Sequence, residues 1–172
     1  MAPQRRALAA PRIDVRIAPA FRTTVRAAWL RAIARRVLAA ESVAAPGRVG
    51  IVVADDETVR ELNHRFLGLD EPTDVLSFGL AAADGAPFAL PPEEISLGEV
   101  VVAYPTALRQ AQEAGRPIEA EAAHLLVHGI LHLLGYDHER PEDERAMRRR
   151  EEEILVGVAA PEATFDRFHG GL

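Results

Sequence analysis

A chain of 172 residues, 48% apolar and 27% charged, is long enough for a single compact core and too balanced in composition for a disordered or fibrous protein. It contains no cysteine, which excludes disulfides and thiolate ligands, so that any metal must rest on His, Asp or Glu. The formal charge of −6 divides unevenly: residues 1–50 hold ten Arg against Asp14 and Glu41, while residues 51–172 hold ten Arg against 24 acids, so a basic portion able to face a polyanion joins an acidic one.

Residues 1–12 read as a flexible extension. MAPQRRALAAPR has no apolar segment of the signal-peptide kind, and no stretch nears about 18 continuous apolar residues, so the expectation is a cytoplasmic protein without a membrane span. Residues 13–157 read as one hydrolase-type domain and 158–172 as a tail. Ile13 to Ile17 alternates apolar and polar, the period of a half-buried strand. From Phe21 to Ala40 the pattern turns helical, with Val25, Trp29, Ile33 and Val37 every fourth residue, until Ala45-Pro46-Gly47 breaks it. Val49 to Ala54 is a buried strand, and Asp55 or Asp56 caps a helix carrying Val59, Leu62 and Phe66. Val75 to Phe78 is a third strand, residues 79–96 a long Ala-, Pro- and Gly-rich loop, and Leu97 to Ala103 a fourth strand. Pro105 to Ala114 forms a short helix. Pro117, with Glu119 and Glu121 behind it, opens a helix that is apolar on nearly all sides to Leu134 and stops at Gly135. Pro141 opens the last helix, whose inward side carries Met147, Ile154 and Leu155. The expected fold is α/β (α+β): one domain with a mixed four-stranded sheet and about five helices.

Four of the six histidines fall between 124 and 138. His128 and His132, four residues apart, lie about 40° apart around a helix and one turn along it, so both imidazoles reach one ion. Gly135 ends the helix, Tyr136-Asp137 reverses the chain, and His138 returns as a third ligand. Three neutral imidazoles leave a fourth position for water, whose pKa falls from ~15.7 to ~7, and keep the ion's charge available for an anionic substrate such as a phosphodiester. Zinc is the expected metal, although imidazole also suits other divalent transition metals. His124 continues the series by one more turn, as a packed or hydrogen-bonded side chain or as a further ligand. Asp137 either orients a ligand imidazole or shapes the turn.

The segment from His128 to His138, HGILHLLGYDH, resembles the signature of the YbeY family of endoribonucleases and rRNA maturation factors. Asn63 through Phe78 (NHRFLGLDEPTDVLSF) is similar to the family's second motif, and Leu97-Gly98-Glu99-Val100 resembles its Leu-Gly-Asp-Ile strand. The resemblance implies a single-domain α/β fold around a four-stranded sheet and a zinc-type site of three histidines. It further implies cleavage of single-stranded RNA in small-subunit rRNA 3′-end processing, association with the ribosomal small subunit, and a part in ribosome quality control. Two positions depart from the family's pattern. Leu67 stands where many members carry a phosphate-contacting Arg; Arg65, two residues earlier and ~200° around a continuing helix, is the candidate to offset it. Glu99 stands where Asp is usual.

The resulting expectation is that RNA enters a cleft between the histidine turn and the 63–78 segment, with Arg65 countering phosphate charge and Glu99, Asp137 or hydroxide itself as candidate base. A zinc metalloprotease is the competing enzyme, but such proteins carry Glu directly after the first helix histidine, where this chain has Gly129. A non-catalytic, metal-stabilised ribosome assembly factor is the alternative of a different class.

Overall fold

Residues 9–79, 95–156 and 158 are described in the computed structural model. The apolar runs expected to pair do so: Arg12–Ile17 (β1), Gly47–Ala54 (β2), Val75–Phe78 (β3) and Ile95–Ala103 (β4) form one mixed sheet in the order β1-β2-β4-β3. β1 and β4 both run parallel to β2, and β3 lies antiparallel to β4. Because side chains alternate along a strand, neighbours divide between two cores. Val49, Ile51, Val53, Val100 and Val102 enter the larger one, whereas Ala54, Leu76, Val101 and Ala103 enter the smaller one on the opposite face.

Five helices cover these faces: α1 (Ala27–Ala40), α2 (Asp56–Leu67), α3 (Tyr104–Glu113), α4 (Ile118–Leu133) and α5 (Pro141–Leu155). The larger core is closed by α1, α4 and α5; α2 lies over the smaller one, against β3 and β4. Burying each large apolar side chain contributes roughly 1.5–3 kcal/mol, and α1 and α4 contribute equally many such groups. In α4, Leu125, Leu126, Val127, Ile130 and Leu131 are all buried, and the helix packs against α1, α3, α5, β3 and β4. This is why its sequence is apolar all round.

Some boundaries differ from those read in the sequence. The helix expected from Phe21 begins at Ala27, after a single turn of 3-10 helix over Pro19–Phe21, because Arg26 is extended (φ −99°, ψ 123°) and interrupts it. Val25 is nonetheless buried, delivered to the core by the turn rather than by the helix. Of the two candidate caps for α2, Asp55 accepts from the Thr58 N–H at 2.7 Å, while Asp56 reaches across to α3. Strand β4 starts two residues early, since the Ile95 N–H bonds the Pro46 carbonyl at 3.0 Å. The rest of the expected 79–96 loop falls almost wholly on residues 80–94, outside the described residues, as do residues 1–8 of the extension and all of the 158–172 tail except Val158. Among the described residues no helix is long and apolar enough to cross a membrane.

Helix α4 sits unusually close to the sheet at Gly129. A Cβ there would lie 2.6 Å from Val100 Cγ1, an impossible separation, so only glycine admits this approach. The Gly129 carbonyl in turn accepts a hydrogen bond from Ser77 Oγ at 2.9 Å. The end of α4 is therefore anchored to β3 and β4 at the level where its histidines emerge.

Candidate metal centre

His128 and His132 project from the last turns of α4 with ring centroids 4.6 Å apart and planes at 80°. The helix closes as the Tyr136 N–H bonds the Leu131 carbonyl at 3.1 Å, and Gly135 takes the left-handed conformation (φ 99°) that this reversal requires. Asp137 then accepts from the backbone N–H groups of His138 (2.6 Å) and Glu139 (3.2 Å). These bonds shape the turn, one of the roles expected of Asp137 beside orienting an imidazole and serving as base. The turn brings the His138 ring to 4.8 Å from that of His132, and one nitrogen from each of His128, His132 and His138 lies within 4.8 Å of the other two.

The second nitrogen of each helix histidine is already committed. His128 Nδ1 donates to Glu151 Oε1 of α5 at 2.5 Å, and His132 Nδ1 donates to the Tyr136 carbonyl at 2.9 Å. With those protons placed, both Nε2 atoms of the neutral rings are acceptors. They nevertheless face each other at 3.1 Å, and His138 Nδ1 stands 3.1 Å from His132 Nε2. The two Nε2 lone pairs of His128 and His132 repel at that distance unless a proton or a metal ion lies between them. Ligand nitrogens around a tetrahedral ion with bonds of ~2.0–2.1 Å lie ~3.3 Å apart. The donor set fits a transition-metal ion. Burial, followed by the neighbouring His128 and His138, lowers the His132 pKa and so favours the neutral ligand form.

Glu151 is a group that the sequence reading passes over. It is 6% exposed. Burial pushes its pKa up, but hydrogen bonds from His124 and His128 outweigh that and hold it at about 2. A signal was present: Met147, Glu151 and Ile154 recur at helical spacing on the inward side of α5, and an acid within an apolar stripe calls for a partner. His124 is that second partner, 3.3 Å from Glu151 Oε2, and lies outside the converging trio. Tyr136 is fastened in the same manner. Its hydroxyl donates to Glu41 at the end of α1, and Glu41 also accepts from Arg150 of α5.

The remaining sequence candidates are not brought to this centre. Glu99 pairs laterally with Gly50 and Phe78, on the sheet face opposite to Val100 and therefore opposite to α4. Arg65 belongs to α2, across the sheet, with its guanidinium 5.3 Å from the Phe66 ring centroid. Leu67 is half exposed. Asn63 of the same segment is buried and ties the following loop by donating to the Glu71 carbonyl at 2.9 Å. Beside His128 and His138 lies a cavity of about 870 Å³, also lined by Trp29, Met147, Arg116 and Arg148. Glu144 pairs with Arg148 and Glu121 with Arg116.

A family model described as Endoribonuclease YbeY matches residues 18–159. The Endoribonuclease YbeY of Roseiflexus sp. (strain RS-1) is 45% identical over 145 residues, covering 83% of this chain and 90% of the relative. That of Pelotomaculum thermopropionicum is 48% identical over 122 residues, covering 71% and 79%. The solution structure of TM1509 from Thermotoga maritima is similar with a TM-score of 0.51 and 25% identity, covering 85% of this chain and 89% of its own.

Proposed function

The chain belongs to the YbeY endoribonuclease family, and from that membership we propose that it is a metal-dependent endoribonuclease cutting single-stranded RNA in rRNA maturation. In this reading His128, His132 and His138 hold one zinc ion. The observation that carries it is the convergence of ring nitrogens whose opposite sides are already used as donors, to Glu151 for His128 and to the Tyr136 carbonyl for His132. Two of the three rings thereby present an Nε2 lone pair to the centre.

When bound, the ion supplies Lewis-acid polarisation of a phosphate oxygen and acidifies water. The residues of the chain do the rest. Glu151 and the Tyr136 carbonyl hold two imidazoles in orientation, and Asp137 holds the turn that presents the third. All three ligands are neutral, so the divalent charge stays available to a phosphodiester. The cavity between α4 and α5 adjoins His128 and His138 and offers room for the strand next to the scissile phosphate. The reading gives Glu99 and Arg65 no part in the chemistry, since both lie across the sheet. It extends to small-subunit 3′-end processing, ribosome quality control and a cytoplasmic setting, supported by the family's character.

A zinc protease is disfavoured by a specific contact. The position of its catalytic Glu is Gly129, which presses on Val100 without room for a Cβ. The deciding experiment pairs elemental analysis with single-stranded RNA cleavage for wild type and His132→Ala. About one zinc per chain and cleavage, both lost in a still-folded variant, are expected. Cleavage that persists without metal refutes the reading, and a metal-loaded wild type that leaves RNA intact at stoichiometric enzyme favours an assembly factor.

A further inference from the structure

The carboxylate of Glu151 is expensive to place where it is. It sits in the apolar stripe of α5 between Met147 and Ile154, 6% exposed, and among the described residues its partners are two imidazoles of α4. A pure helix clamp at this place would be better served by an apolar side chain, because a buried ion contributes little net stability even when paired. What an apolar residue cannot do is choose which nitrogen of His128 bears the proton.

We propose that Glu151 is a positioning residue for the metal centre: its Oε1 accepts a hydrogen bond from His128 Nδ1–H, aiming the Nε2 lone pair at the ion, while His124 holds its Oε2. The inference rests on the three-histidine metal site proposed above. The geometry separates the two histidines that share Glu151. His128 offers Nδ1 to the carboxylate at 2.5 Å and Nε2 to the centre, 3.1 Å from His132 Nε2. His124, one helical turn earlier, offers Nε2 to the other oxygen at 3.3 Å and is not among the converging ligands. A carboxylate behind a ligand imidazole fixes its tautomer and raises its basicity, and losing such a partner typically weakens metal binding by 10–100-fold. His124 thus acts at one remove: it keeps the carboxylate from turning away from His128.

The test compares wild type, Glu151→Gln, Glu151→Leu and His124→Ala, each verified as folded by circular dichroism. Zinc affinity is measured by competition with a chromogenic chelator, and the His128 tautomer by 15N NMR. Wild type is expected to carry the proton on Nδ1. Glu151→Leu, which keeps the packing, should lose about 10–100-fold in zinc affinity together with that tautomer preference. Glu151→Gln keeps an acceptor oxygen without its charge and should fall in between, and His124→Ala should lose less than Glu151→Leu. If all three variants bind zinc as wild type does, Glu151 is only a helix clamp and the inference fails, even should their melting temperatures drop. If wild type itself binds no zinc, the metal reading fails first and takes this inference with it.

Discussion

The two faces of the sheet are built from similar materials and do different work. On the α4 face, polar groups meet across long stretches of chain: Glu151 with His128, Ser77 with the Gly129 carbonyl, and Tyr136 with Glu41. On the α2 face they also pair, as in Asp56 with Thr106 and Arg109, Arg60 with Asp70, and Asn63 with the Glu71 carbonyl. There the buried Asn63 Oδ1 is left without a hydrogen-bond partner, so an unmet acceptor alone does not mark a site. Among the described residues, only on the α4 face do three imidazoles converge, with ring nitrogens 3.1 Å apart, and that convergence marks the centre. A reactive site is distinguished by how its ring nitrogens converge, not by how many polar residues it holds.

The largest effect that would break this contrast is expected at His132. His132→Ala should reduce bound metal to background and RNA cleavage below detection. Arg65→Ala, on the other face, should leave metal content unchanged and alter stability by no more than about 0.5 kcal/mol. A loss of metal in Arg65→Ala would dissolve the distinction between the faces.

Gly129→Ala comes next. The added methyl would meet Val100 Cγ1 at 2.6 Å and must lift α4 off the sheet, which typically costs about 1–3 kcal/mol. Thermal denaturation measures the cost. A parallel loss of zinc affinity would show that the height of α4 above the sheet sets the ligand geometry. Ser77→Ala is expected to be milder, about 1 kcal/mol, as it frees the Gly129 carbonyl from one bond. Urea titration at fixed pH gives that value.

The smallest effect belongs to the α2 face. Burial raises the Asp56 pKa, but hydrogen bonds from Arg109 and Thr106 outweigh it and leave the carboxyl below its ordinary value. A carboxyl depressed in the folded state stabilises the protein above its unfolded pKa, and that contribution disappears as pH falls through the folded value. Asp56→Asn should therefore lower stability near neutral pH by less than about 1 kcal/mol, because the pair is partly exposed, and should flatten the acid limb of the stability curve. Zinc content at pH 7 should not move. A zinc loss would mean the two faces are coupled through β4.

Features generated by neighbours in the chain were legible before any coordinates. The four-residue spacing of His128 and His132, the stop at Gly135 and the return of His138 are local geometry, because a helix and its terminating turn are dictated by residues within a few positions. So are the alternating strands and the all-round apolar helix at the centre of the fold. The start of α1 was misplaced because Val25 keeps the helical rhythm while the backbone at Arg26 is extended. Periodicity records which residues are buried and not how the chain delivers them.

What tertiary structure alone decided is the direction in which side chains look and which distant groups meet them. Glu99 follows a family-like strand pattern, yet the pleat turns it away from α4 and only sheet pairing fixes that sense. Glu151 comes within hydrogen-bond reach of His128 from 23 positions along the chain, since α5 folds back on α4. Spacing in one dimension specifies a ligand pair on a single helix; the proton on the far side of each ring depends on packing between elements, where sequence separation no longer measures distance.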